Sequence, residues 1–392
     1  MKKQTRRIAI SALLLVLAFF PLQRALAQPQ QEIVEGIGNA IEGAELNAWE
    51  GLLNNLPDQV RQLWDDESIV SVIEEYALGE GGYLGDSLIT NLFSIFQESL
   101  PGMLGMLLKV LAVSLLSGFV KALSDAGITG LSDIAGFVCH CFAIIIALQV
   151  FFSLAALSKE TMQATAHVIE VAFPALLTLL TAAGGIASSG IFQPAMTLLC
   201  SGISTILQNV VLPIILAGAA MAVLNHMTGR VQLGQLFSLS KSTAKWIIGL
   251  LFTFYFAITS VQGMTAAAFD GVSVRTAKYA IDKLVPIVGG MVSGTVDTML
   301  GCAVLVKNAA GIAAILIAFG VVCMPFIQIG AGIFSFRIAA ALSEPVADPR
   351  IPKMLGALAD VLTYLLAATI ALSIMFIITV GLMMRVGGMA LS

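Results

Sequence analysis

The chain has 392 residues, 58% of them hydrophobic and 11% charged, with a mean hydropathy of +0.94. Soluble domains are about 45–50% apolar and about 25% charged, so composition alone places this chain in a membrane and excludes small secreted domains, disordered regulators and nucleic-acid binders. The formal net charge of −4 conceals a division: residues 28–101 hold 14 acids and one base, Arg61, whereas residues 102–392 hold 14 bases and 10 acids.

Lys2, Lys3, Arg6 and Arg7 precede the apolar run Ile8–Leu22, and Ala25-Leu26-Ala27 follows. A charged start, a short apolar stretch and a small-x-small site predict a cleavable signal peptide over 1–27. An uncleaved signal anchor fits the same residues. Both place the acidic segment, 28–101, outside the cytosol.

Within that segment, Ile33, Ile37, Ile41, Ala44, Ala48 and Leu52 recur at helical spacing until Pro57. Val60, Leu63, Trp64, Ile69, Val72, Ile73 and Tyr76 form a second amphipathic run. Leu84, Leu88, Leu92, Ile95 and Phe96 form a third. About 70 residues in three short helices bury little core, so the segment is expected to lean on another part of the molecule. It reads either as a solvated leader to the first span or as a docking surface for extracytoplasmic partners.

Residues 102–392 form the membrane domain. No Asp, Glu, Lys or Arg falls between Glu170 and Arg230, Lys245 and Asp270, Lys307 and Arg337, or from Val361 to Met384. Each interval exceeds the ~20 residues that cross a ~30 Å hydrocarbon layer. The runs do not alternate like barrel strands, so the predicted fold is all-α, a polytopic bundle. Eight spans are expected, at 103–123, 134–157, 168–187, 194–224, 245–266, 284–306, 309–334 and 358–384. Pro213 and Pro325 fall inside two of these and are expected helix breaks, as kinks or re-entrant turns. Basic residues occur in successive loops, so the positive-inside rule does not set the later orientation.

Two stretches echo each other at a shift of 112 residues. Phe173-Pro174 matches Val285-Pro286, and Leu212-Pro213 matches Met324-Pro325. With a few extra loop residues Trp246 meets Tyr364, which makes 168–266 and 280–384 possible repeats.

Three ionisable residues stand at membrane depth: Lys109, Glu170 and Asp297. Gly290, Gly294, Asp297 and Gly301 share one helix face, which permits close helix contact with an acid in its middle. Such an acid either carries a cation or proton or fixes packing. His167 and Glu170, three residues apart, can pair. The five cysteines lie in apolar helices, and Cys139-His140-Cys141 cannot converge on one ion because neighbouring helical side chains point about 100° apart. There is no P-loop, HExxH or GxSxG. No catalytic, cofactor or metal residue is therefore assigned, and an enzyme is not expected.

The stretch Ser260-Val261-Gln262-Gly263-Met264 through Phe269-Asp270-Gly271 to Arg275-Thr276-Ala277-Lys278-Tyr279 resembles the stage III sporulation protein AE family of endospore-forming bacteria. Phe173-Pro174-Ala175-Leu176-Leu177, Gln208-Asn209-Val210-Val211-Leu212-Pro213 and Leu305-Val306-Lys307-Asn308 resemble it too. The resemblance covers essentially the whole chain, leader and Trp49-containing segment included.

It implies a multi-pass protein of the mother-cell membrane around the forespore, with its N-terminal segment in the intermembrane space. It further implies membership of an eight-protein complex with a cytosolic ATPase, small membrane subunits and a forespore-side membrane partner. That complex is a channel or secretion-like apparatus required for forespore development and late forespore gene expression. Asp270, Arg275 and Lys278 then read as a turn and basic loop at the membrane interface, open to a partner contact. The alternative function is an autonomous secondary permease using Asp297.

Overall fold

The computed structural model describes residues 69–78, 97, most of 101–119, 131–227, 233–284, 289–345 and 347–386. The leader and the first and third amphipathic runs lie outside the described residues. Every regular element among those described is helical: α1 (Ile69–Leu78), α2 (Leu131–Ala182), α3 (Ile186–Ile206), a π turn (Leu207–Val211), α4 (Leu212–Met227), α5 (Gly234–Leu284), α6 (Gly289–Ser343) and α7 (Arg350–Arg385). This is the all-α polytopic bundle that composition predicts. Among the described residues five stretches are long and apolar enough to cross a bilayer: His140–Ala182, Ser201–Met227, Gly234–Gly263, Asp297–Ser343 and Arg350–Arg385. A shorter apolar helix covers Leu104–Leu116.

The structure joins runs that hydropathy separates. Run 134–157 and run 168–187 as far as Ala182 are one helix, α2, and run 284–306 from Gly289 on lies with run 309–334 in α6. Lys159-Glu160 and Lys307-Asn308 interrupt apolarity, but Lys and Glu are good helix formers and neither site holds a breaker. Asp270-Gly271 is likewise no turn: α5 runs through it, an interior Gly costing only about 1 kcal/mol. Asp270, Arg275 and Lys278 therefore lie on a continuous helix rather than in a loop.

The real breaks carry backbone signals. After α2, Gly184 adopts φ 86°, a conformation that side chains with a Cβ resist. The Gly184 amide donates to Thr181 O and the Gly185 amide to Leu180 O, closing a glycine-ended helix terminus. The chain then reverses into α3. Pro325 does not break α6. Pro213 acts one turn earlier, through the π turn at 207–211, and the helix then resumes. The duplicated layout is accordingly unequal, since the turn at 183–185 corresponds to 295–297, inside α6.

Cross-links fix the helices' relative levels. A Cβ on Gly332 of α6 would strike Leu154 of α2, and Ser158 Oγ of α2 lies 2.8 Å from Thr369 Oγ1 of α7. Tyr255 of α5, fully buried, donates to Met375 O and sits 2.7 Å from Thr379 Oγ1. A Cβ on Gly311 of α6 would meet Met384 of α7 at 2.5 Å. Helices α2, α5 and α7 thus run one way, with α3–α4 and α6 antiparallel to them. Small residues (Ala309, Ala310, Ala313, Ala314 and Ala318) line the buried face of α6 and let backbones approach closely.

From the acidic segment, α1 docks on α6. Val72 and Ile73 are buried and Tyr76 packs at the edge, so this run does lean on the bundle. Burial, then the neighbouring Glu75 charge, push the Tyr76 phenol above its usual value.

Candidate functional site

The charge-free stretch of α7, Val361–Met384, is about 36 Å long at ~1.5 Å per residue, the thickness of a hydrocarbon layer. Thr369 lies within about one turn of its midpoint. The Ser158–Thr369 contact therefore carries the polar part of α2 to membrane depth: Glu160, Gln163, His167 and Glu170 stand level with the stretch of α7 that holds no charge.

Helix α2 is amphipathic there. Met162, Val168, Ile169, Ala172, Phe173, Leu176, Leu179 and Leu180 are buried against the bundle. Glu160, Gln163, His167, Glu170, Pro174, Thr178 and Thr181, three or four apart, all face outward and are exposed. Between Phe152 and Ile186 no large apolar side chain is exposed. Antiparallel α3 continues the surface with Gln193, Thr197, Ser201 and Thr205, one per turn and all exposed.

Between the two helices lies a cleft of about 230 Å³ lined by Gln163, Ala166, His167, Ile169, Glu170, Ser201, Ser204, Thr205, Gln208 and Asn209. Gln208 Nε2 donates to Ser204 Oγ at 2.9 Å. The π turn forms one wall. The Leu212 amide donates to Leu207 O, and Pro213 has no amide hydrogen, so neither residue four nor residue five ahead can serve the Gln208 carbonyl. π turns concentrate at functional sites for this reason: they release backbone acceptors. His167 and Glu170 share the face as expected, but both open into the cleft and form no ion pair.

The other predicted residues are dispersed. Lys109 is exposed on the short apolar helix and Asp297 is half-buried where the apolar stretch of α6 begins. At Gly301 a Cβ would meet nothing within 4 Å, so the close helix contact expected of that glycine face is not made there. Cys302 is buried, Cys141 and Cys323 partly so, and all three are free thiols. Among the described residues no group of three His, Cys, Asp or Glu side chains could hold a metal ion.

Two polar clusters escaped the sequence reading. Lys307, 1% exposed, sends Nζ to the Met384 carbonyl at 3.0 Å and to the Val386 carbonyl. It places a cation on the negative end of α7, where the last carbonyls lack helical donors. Nearby on the converging helices, Gln262 Oε1 and Asn308 Oδ1 are buried without a hydrogen-bond partner. Their signal was a Lys-Asn pair inside an otherwise unbroken apolar helix. Second, Asp360 of α7 accepts from Lys241 Nζ of α5 at 3.1 Å and lies 3.7 Å from Arg337 of α6, tying three helices at one membrane edge.

A family model described as Stage III sporulation protein AE matches residues 68–387. The chain is 26% identical over 379 residues to the Stage III sporulation protein AE of Bacillus subtilis (strain 168), covering 92% of this chain and 94% of that protein. No solved structure matches.

Proposed function

The chain belongs to the stage III sporulation protein AE family, and on that premise we propose that it is a non-enzymatic membrane subunit of a channel or secretion-like complex linking mother cell and forespore. It sits in the mother-cell membrane around the forespore, with residues 28–101 in the intermembrane space. Its partners are the other stage III membrane subunits, a cytosolic ATPase and a forespore-side membrane protein. Its sporulation role is forespore development and late forespore gene expression.

The observation that carries this reading is the uncovered face of α5. Ser238, Ser242, Lys245, Gly249, Thr253, Ala257 and Ser260 recur every three or four residues, and all are exposed. This seam of small and polar residues, with a lysine among them, is interrupted by exposed Phe256 and flanked by exposed Trp246 and Phe254, so it offers another helix both close approach and large side chains to pack. At Gly249 a Cβ would meet nothing within 4 Å among the described residues, so the space there is open to a neighbour. A subunit needs such a seam. A self-sufficient permease does not, and its pathway would run inside the bundle rather than along the outer groove between α2 and α3.

The test is Gly249→Leu, with insertion and abundance verified in the membrane. Co-purification of the other stage III membrane proteins and spore formation should both be lost. Normal recovery of the complex would contradict the reading.

A further inference from the structure

We propose that the α2–α3 groove lines a water-filled conduit that admits hydrated cations and small neutral polar solutes in preference to anions; this deepens the subunit reading and rests on it. The groove sits at bilayer depth, because Ser158 is bonded to Thr369 near the middle of the charge-free stretch of α7. It faces away from the bundle, and its outward surface carries Glu160, Gln163, His167 and Glu170 with no large apolar side chain among them.

Helix α6 shows what a lipid-facing surface of this same protein looks like. Its exposed positions at the same depth are Phe319, Phe326 and Phe334. One chain therefore builds two opposite outer surfaces, and ionisable groups at membrane depth face protein or water rather than lipid. A dry partner helix would have to supply a donor or acceptor for every one of these groups, whereas water serves them all.

The selectivity follows from the lining. Glu160 and Glu170 contribute two carboxylates about 15 Å apart along the helix, against one lysine, Lys159. The π turn also contributes Gln208 and Asn209 to the lining. Carboxylates favour cations in pores.

The test uses the full chain in membranes from sporulating cells, with single cysteines at the cleft-lining positions Gln163, Ser201 and Thr205 and, as controls, at Phe319 and Phe326. The parent chain, with its natural thiols, sets the baseline. Permanently cationic and anionic methanethiosulfonates, neither of which crosses lipid, are the probes. The three groove positions should react, the cationic reagent about tenfold faster than the anionic one, and the control positions should not. Glu170→Gln combined with Ser201→Cys should cut that preference several-fold while leaving Ser201→Cys reactive.

Groove positions as inert as the controls would overturn the proposal. So would groove positions that react in the detergent-purified chain but are protected in the assembled complex, because a partner helix then fills the groove. Equal rates for both reagents would overturn the selectivity. Labelling is scored whatever the spore yield, so its failure is distinct from failure of the subunit reading.

Discussion

Ser158 of α2 and Thr369 of α7, 211 residues apart, share a fully buried hydroxyl–hydroxyl hydrogen bond of 2.8 Å. Through it the polar face of α2 is held level with the charge-free stretch of α7. The Thr369 hydroxyl has a second bond, donating to Leu365 O at 3.0 Å, so loss of Ser158 strands no donor. Ser158→Ala should therefore cost little, about 0.5–1 kcal/mol, in line with measured side-chain hydrogen bonds in membranes. Ser158→Leu has no room at a site with 0% exposure and should cost about 1–3 kcal/mol. Thermal melting in detergent separates the two; a larger loss for Ala than for Leu would contradict this packing.

Lys307 should tolerate no neutral replacement cheaply. Lys307→Met keeps the stem but strands two carbonyls at the end of α7, at about 1–3 kcal/mol each. The measurable consequence is earlier cleavage near Arg385 when the purified protein is titrated with trypsin. An unchanged cleavage pattern would mean that Nζ does not hold this helix end.

Gly332 is required because Leu154 occupies the space of a Cβ. Gly332→Ala should destabilise by about 1–3 kcal/mol, and combining it with Leu154→Ala should recover part of that loss. Strict additivity in a double-mutant cycle would show that the two residues do not touch.

Asp360 is the opposite case. Its side chain is 45% exposed, so its bonds to Lys241 and Arg337 are screened, and Asp360→Asn should cost less than about 1 kcal/mol. The effect should shrink further in high salt. A salt-independent loss would indicate a drier site than the structure gives.

Composition and charge-free intervals sufficed for the all-α membrane bundle, and the spacing of Val72, Ile73 and Tyr76 for the helix that docks on α6. The span count was not legible, because hydropathy treats Lys159-Glu160 and Lys307-Asn308 as loops. A helix carries such residues through when another surface receives them: the outer groove for the first, the carbonyl end of α7 for the second. Pro213 and Pro325 look alike in sequence, yet only the first is accompanied by a π turn. The groove itself was visible as a periodicity of polar residues, with Glu160, Gln163, His167 and Glu170 three or four apart, but a search for apolar stripes passes over it. Its partner wall on α3 depends on the Gly184 turn and could be seen only once the chain was folded.

The groove lies in the bilayer only if α2 is one continuous helix crossing it with its polar face at membrane depth. Single cysteines at Asp133 and Gly190, probed with an impermeant maleimide added outside intact protoplasts and again after lysis, report this. One helix places these positions on opposite sides, so one should label before lysis and the other only after it. Labelling of both from the same side would mean that α2 turns back near Lys159, and the groove would then lie outside the membrane.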